Sequence, residues 1–556
     1  MTPLDYLVII LFSLLIFAIG LSFSKSSGKD MKSFFAAGGA VPWWINSLSL
    51  FMGFVSAGTF VVWGSIAYSS GWVSISIQWT MSIAGFLVGF LIAPKWQKTK
   101  SLTAAEYISD RLGVGVQKLY SYIYLSIMVF MTGVYLYSVS RILEVSTGMP
   151  LYLSIALLGF IVIVYTTLGG LWAVVVTDVL QFVILTAAAI IVVPLSLERV
   201  GGIEQFFNSL PSEGFFDLTN HEYSWSFLVG FGLYNFFYLS GQWGFVQRYT
   251  SVSSPGEARK VGWLFGALYL ISPVIWMLPP MVYRALNPEL SGLQDEGAYL
   301  MMCKEVLPAG MLGLMLISLV FATNSSVQGV LNISAGVITN DLFKARYPLS
   351  TERLLMRIAK ISTFVFGLIT IGIAMLVPIM GGAKEVVLSV AALTGAPMYL
   401  PLIWSLFSKK QTGKTVLFTT LTSLAITLSA KFLLPSGMEF SLSRANEMIL
   451  GVSVPAIIVL VLEIWLRLDR KAETDYSNFT RIRDEKVAKD LPEEAGTVES
   501  SVENKQGLRM VSYGILATGM IIGFLGLMAS SGKMYVLSVA MILLLIGGRI
   551  LYKALK

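Results

Sequence analysis

Residues 47–59 read Ser47-Leu-Ser-Leu-Phe-Met-Gly-Phe-Val-Ser-Ala-Gly-Thr59, a polar and glycine-bearing interruption inside an otherwise apolar span. Gly53, Ser56, Gly58 and Thr59 fit either of two arrangements. Small residues let membrane helices approach closely, or they mark a helix broken at mid-bilayer, where freed carbonyls hold ions and half-helix ends meet a solute. A second polar break, Asn235-Phe-Phe-Tyr238-Leu-Ser240-Gly241-Gln242, follows about 180 residues later. Two interrupted helices in corresponding places of two halves point to a transporter built from inverted repeats, and the pairing says more than either break alone.

The rest of the chain suits a membrane. It has 556 residues, 55% hydrophobic and only 13% charged, with mean hydropathy +0.74. About a quarter of an ordinary globular chain is charged. Apolar runs long enough to cross roughly 30 Å of hydrocarbon recur about fifteen times, so an all-α membrane protein embedded in the lipid bilayer is expected. The run Tyr6–Leu21 lacks a basic leader and a small-residue cleavage site and reads as a retained helix.

Charge then orients the chain. With the N-terminus outside and fifteen alternating spans, 31 of the 39 basic residues fall inside, which places the C-terminus in the cytoplasm and the protein in the plasma (inner) membrane. The net charge of +7 is spread over helix ends rather than gathered in one stripe, which argues against a nucleic-acid partner. A single cysteine, Cys303, forms no intrachain disulfide, and one histidine, His221, builds no histidine metal site. No nucleophile–base pair suggests an enzyme.

The expected organisation is an N-terminal helix and cytoplasmic loop (1–44), a first five-helix repeat (45–196) and an extracytoplasmic loop (197–225). A second, inverted repeat (226–407), two further helices (408–467), a mobile polar cytoplasmic linker (468–508) and a C-terminal helix pair (509–556) follow.

Intramembrane polar groups are costly and therefore functional candidates. In Phe321-Ala322-Thr323-Asn324-Ser325-Ser326-Val327-Gln328-Gly329, Ser325 and Ser326 share a helix rim with the Ala322 carbonyl. Such hard oxygens suit a small hard cation, although membrane serines also bond back to the preceding turn. Asp178 fits either a helix-start carboxylate or a ligand on an ion pathway.

At these residues the sequence resembles the sodium:solute symporter family, whose known members share the LeuT-type fold of five plus five inverted helices. The resemblance runs from about residue 5 to 470 and includes Gly169-Gly170-Leu-Trp-Ala-Val-Val-Val-Thr-Asp178-Val-Leu-Gln181 and Gln247-Arg248. It continues through Ala322-x-x-Ser325-Ser326 to Leu331-Asn332-x-Ser334 and Asp341. It implies a sodium site made by the carbonyls of Met52, Val55 and Ala322 with the hydroxyls of Ser325 and Ser326. Against the family's sodium/galactose symporter, Asn235 matches a sugar-binding asparagine and Tyr238 the aromatic inner gate. Gln78, Thr59 and Tyr269 replace a sugar-binding glutamate, glutamine and lysine, and Ala391 falls near where a further sugar-binding glutamine stands.

Against the sialic-acid symporters, Ser56 and Thr59 match the carboxylate-binding pair, but the expected arginine falls near Thr132. Gln328 and Gly329 replace serines of a second sodium site that includes the Asp178 equivalent. The expectation is a sodium-coupled importer of a small polar solute. A sugar or sugar derivative comes first, with organic acids and amino acids as the alternatives. A channel or a solute sensor is a more distant reading.

Overall fold

The computed structural model describes residues 1–23, 42–101, 103–166, 171–211, 214–344, 346–347, 349–432, 443–468, 474–489, 495–529 and 531–555. Among these the chain is helical, without strands. It opens with α1 (Pro3–Phe23), followed by α2 (Trp43–Phe54) and α3 (Gly64–Ser70), the last two linked through a π-helical stretch at Thr59–Trp63. Next come α4 (Val73–Leu91), α5 (Ala93–Lys98), α6 (Ala104–Leu112), α7 (Val114–Thr147), α8 (Leu151–Thr166) and α9 (Leu171–Val200). After α10 (Ile203–Asn208) run α11 (Trp225–Gly241), α12 (Trp243–Thr250), α13 (Pro255–Leu286) and α14 (Ala298–Val306). Then come α15 (Met311–Gly336), extended by the π-helical Val337–Lys344, α16 (Glu352–Leu376) and α17 (Gly382–Trp404). The chain closes with α18 (Gly413–Phe432), α19 (Arg444–Leu468), α20 (Thr474–Lys489), α21 (Ala495–Met528) and α22 (Lys533–Leu555).

Among the described residues, eleven helices are long and apolar enough to cross a membrane, and twelve with the pair Trp43–Phe54 and Thr59–Ser70, which bends by 60°. That is fewer than the expected fifteen. Shorter apolar helices occupy two of the remaining expected spans, at Pro3–Leu15 and Leu151–Ile163. The third, 226–247, is divided at Gln242 into α11 and α12.

Two groups of helices form the core. In one, α4 and α13 lie against each other through Gly85, Gly89, Gly262 and Gly266. A methyl group at Gly262 would sit 2.6 Å from the Gly89 Cα, so only glycine permits this approach. α2, α3 and α11 join this pair. In the other group α7 and α8 lie along α16, and α15 packs on α7 and α16. α2 also contacts α15, so the two groups meet at the first break. The N-terminal helix is fastened to the same region, because Asp5 Oδ1 accepts from the Gly310 and Gly313 amides (2.8 and 3.0 Å) at the start of α15. Those amides have no partner within their own helix.

Within 468–508, where a mobile polar linker is expected, the described residues are helical. Residues 474–489 form α20, which docks on α6, and residues 495–508 are the start of α21. Phe479 is buried edge-on to Tyr107 at 5.5 Å, and Lys486 pairs with Glu106 and, at 2.7 Å, with Asp110. A single apolar face and one lysine between two carboxylates are enough to hold an otherwise polar helix against a surface.

Candidate functional site

Both expected breaks are present, and the protein's own polar groups satisfy the backbone they free. α2 ends at Phe54, with Val55 extended at φ −94°, ψ 119°. Beyond it the Ser56 amide donates to Thr59 Oγ1 (3.2 Å), the Ala57 amide to Thr323 Oγ1 (2.7 Å) and the Gly58 amide to Ser56 Oγ (3.1 Å). The Thr59 amide donates to the Ser56 carbonyl (3.0 Å), and Thr59 Oγ1 donates to the Phe54 carbonyl (3.1 Å). Away from water each unpaired group would cost several kcal/mol, which explains why hydroxyl residues cluster here. In the second break, Gln242 is extended at φ −64°, ψ 128°, and its Oε1 accepts from the Phe245 amide at 2.9 Å. Gln242 thus caps α12.

Between the breaks lies a cavity of about 90 Å³, room for several waters at ~10–15 Å³ each. Ser56, Thr59, Gln78, Asn235, Tyr269 and Tyr238, the five solute candidates and the gate candidate, all line it. Phe54, Trp63, Met131, Tyr135, Phe231, Tyr234 and Val387 contribute to its wall, and among the described residues no charged side chain does. Ala391 is buried outside that wall. Two of the lining residues, Gln78 and Asn235, each carry a buried oxygen (Oε1 and Oδ1) without a hydrogen-bond partner within the protein, and the residues are 3% and 1% exposed. Leaving such an atom unpaired costs about 1–3 kcal/mol, an expense typical of binding sites.

The sodium candidates flank the first break. The Met52 carbonyl, at the end of α2, accepts from the Val55 amide at 3.2 Å. Ala322 is buried on α15, and Ser326 Oγ donates back to its carbonyl at 3.2 Å. The Ser325 side chain lies outside the described residues. Thr323, whose place in the sequence gives no sign of it, joins the two elements by accepting from the Ala57 amide.

Asp178 is buried on α9, and its Oδ2 accepts from Ser49 Oγ on α2 at 2.8 Å. Arg248 of α12 donates to the same Ser49 Oγ at 3.2 Å. The carboxylate therefore helps to join α2, α9 and α12. Gln328 is buried on α15, and a methyl group at Gly329 would meet open space.

The cavity's two ends differ. At one, Phe54 stacks on Phe245 with ring centroids 4.3 Å apart, and Tyr238 lies edge-on to Phe54, Phe245 and Tyr399 at 5.6–5.8 Å. At the other, the turn Gly292–Gly297 bears buried Asp295 and Glu296. Ser65 Oγ donates to Asp295 (2.8 Å), while the Tyr137 hydroxyl and the Ala383 amide donate to Glu296 (2.7 and 2.9 Å). Arg141 donates to the Leu293 carbonyl at 3.1 Å. Burial raises both carboxyls above their ordinary range, and the bonds they accept and nearby Lys384 and Arg141 only partly offset it.

Known structures share this architecture. A substrate-bound, outward-open sodium-coupled sialic acid symporter superposes with a TM-score of 0.71 over 84% of this chain and 98% of its own, at 23% identity. The fold is thus the LeuT type. The sodium:solute symporter family model matches residues 34–422, and the chain belongs to that family. The sodium/glucose cotransporter of Vibrio parahaemolyticus is 27% identical over 79% of this chain and 86% of its own length. The Mus musculus sodium/myo-inositol cotransporter 2 is 31% identical over 67% of this chain, which spans 61% of that relative. The sodium/sialic acid symporter of Proteus mirabilis is 26% identical over 77% of this chain and 90% of its own length. The family and these relatives are transporters, not enzymes.

Proposed function

We propose that this chain is a sodium-coupled symporter that imports a small neutral polyhydroxylated solute, a sugar or polyol, across the plasma membrane by alternating access. Its N-terminus lies outside and its C-terminus in the cytoplasm. The observation that carries the solute class is a cavity walled by amides, hydroxyls and aromatic rings, with no charged lining residue among those described. A carboxylate would call for a cation or a helix N-terminus. The amides of Ser56, Ala57, Gly58 and Thr59, which open the second half-helix, already bond to partners within the protein. This disfavours a sialic-acid-like anion.

Sodium is the co-transported ion. Its site is formed by the carbonyls of Met52, Val55 and Ala322 with the hydroxyls of Ser325 and Ser326, and the bond between Ala57 and Thr323 holds these segments side by side. Bound there, the ion ties α2 to α15 and favours the outward-open state. Solute closes the outer end, and inward release of sodium loosens the aromatic contacts of Tyr238. One charge crossing about 100 mV yields roughly 2.3 kcal/mol, and a tenfold gradient adds about 1.4 kcal/mol. Together they support a few-hundred-fold accumulation.

The test is uptake by proteoliposomes of D-glucose, myo-inositol and sialic acid under sodium, potassium or proton gradients. Saturable, sodium-driven accumulation of a polyol is expected. Uptake indifferent to sodium would end the coupling assignment, and a preference for sialic acid would end the solute assignment. Ser326→Ala and Ser325→Ala should each raise the sodium half-saturation concentration about tenfold or more, since a hydrogen bond or contact to a charged group contributes about 1.5–3 kcal/mol.

A further inference from the structure

The two unpartnered oxygens carry information beyond the solute class, because their orientation is fixed by chemistry. Asn235 Nδ2 donates to Thr80 Oγ1 at 2.9 Å, and Thr80 Oγ1 itself donates to the Ile77 carbonyl at 2.6 Å. The threonine's only proton is committed, so towards Asn235 it can only accept. The amide must present its nitrogen to Thr80 and turn Oδ1 away. Gln78 is held in the same sense: its Nε2 donates to the Ser74 carbonyl at 3.3 Å, an atom that can only accept, and Oε1 is left unpartnered. Both residues are more than nine-tenths buried and belong to the cavity lining, on two helices, α4 and α11.

We infer that Thr80 is a positioning residue that polarises the solute site, so that Gln78 and Asn235 together offer two hydrogen-bond acceptors and select solutes by the protons they donate. This rests on the sugar or polyol reading above and deepens it. A hydroxyl can serve either amide oxygen. A fluorine, an ether or a ketone at the same position brings a second acceptor against the first and leaves the buried oxygen unsatisfied. Such mismatches are rejected far more strongly than a missing methylene. Thr80 stands outside the cavity wall, and it acts only through the amide it orients.

The test compares D-glucose and myo-inositol with their singly fluorinated analogues in sodium-driven uptake by wild type, Thr80→Val and Thr80→Ser. Wild type should discriminate against at least one fluorinated position by about tenfold or more in half-saturation concentration. Thr80→Val, nearly isosteric, removes the acceptor and lets the Asn235 amide turn. The discrimination at that position should shrink at least threefold, with the sodium half-saturation concentration unchanged. Thr80→Ser keeps the hydroxyl and should restore it.

Equal acceptance of hydroxyl and fluorine by wild type, or a Thr80→Val variant with the full discrimination ratio, would overturn the inference and leave the polyol assignment standing. Failure of wild type to take up either polyol would instead remove the assignment on which it rests. An unchanged melting temperature and sodium response in Thr80→Val separate a change in selectivity from a folding defect.

Discussion

At one end of the cavity Phe54, Tyr238, Phe245 and Tyr399 meet ring against ring, while at the other Asp295 and Glu296 gather hydrogen bonds from Ser65, Tyr137 and Ala383. In the orientation proposed above the aromatic end faces the cytoplasm and the carboxylate end faces outward. Ring packing is nearly indifferent to pH and depends on shape, each aromatic pair contributing about 0.5–1.5 kcal/mol beyond its buried area. A closure made of buried carboxylates depends on protonation and on the geometry of a few bonds. The two gates of one transport cycle should therefore respond to different perturbations.

The largest effect is expected at the aromatic end. Phe245 stacks on Phe54 and touches Tyr238, so Phe245→Ala removes the centre of that closure. Truncating a buried phenylalanine typically costs about 3–5 kcal/mol. Sodium-driven accumulation should fall at least about tenfold because the inner end no longer seals, while solute counterflow, which needs no net coupling, persists. Loss of both activities together, with an unchanged melting temperature, would mean that the ring serves solute binding rather than closure.

A smaller effect, of opposite character, is expected at the carboxylate end. Burial raises the Asp295 and Glu296 carboxyls, so the closed state favours their protonated forms. The stabilisation of closure is complete at low pH and is lost as pH rises through the raised values. Outer opening, and with it solute uptake, should increase with pH through the mildly acidic range above the ordinary carboxylate value of about 4. Glu296→Gln is neutral at every pH. Its amide can still accept from the Ala383 amide and donate to the Tyr137 hydroxyl. The variant should flatten much of the pH profile and lower uptake at neutral pH several-fold. A profile parallel to wild type would place the titration elsewhere.

The aromatic end was the more legible of the two. Gly53, Ser56, Gly58 and Thr59 fit close packing as well as a break, and it is the second interruption, which holds Tyr238, that makes the pair read as two broken helices. The five solute candidates come from the first break and from α4, α11 and α13, yet they line one cavity. Thr80 was not legible, because a membrane threonine bonded to its own preceding turn looks complete, and its second role appears only when α11 lies beside α4. Asp295 and Glu296 look like solvated loop acids until Ser65, Tyr137 and Ala383 converge on them from three helices. Likewise α20 reads as a mobile linker, since its helix is polar almost all round and only Phe479 betrays a docked face.

That helix offers the finest test of whether the inner closure is a matter of packing alone. Phe479 lies edge-on to Tyr107 (5.5 Å), Tyr107 edge-on to Trp96 (5.0 Å), and Trp96 Nε1 donates to the Ser240 carbonyl (2.8 Å), two residues beyond Tyr238. The Lys486 contacts with Glu106 and Asp110 are partly exposed, and such pairs typically contribute at most about 1 kcal/mol each. Lys486→Ala should therefore speed hydrogen exchange across 474–489 several-fold while changing uptake by less than about twofold. Phe479→Ala breaks the apolar link and should add to that exchange a measurable rise around Ser240. If Lys486→Ala alone impaired accumulation as strongly as Phe245→Ala, charge as well as packing would hold the inner end, and the contrast between the two gates would not stand.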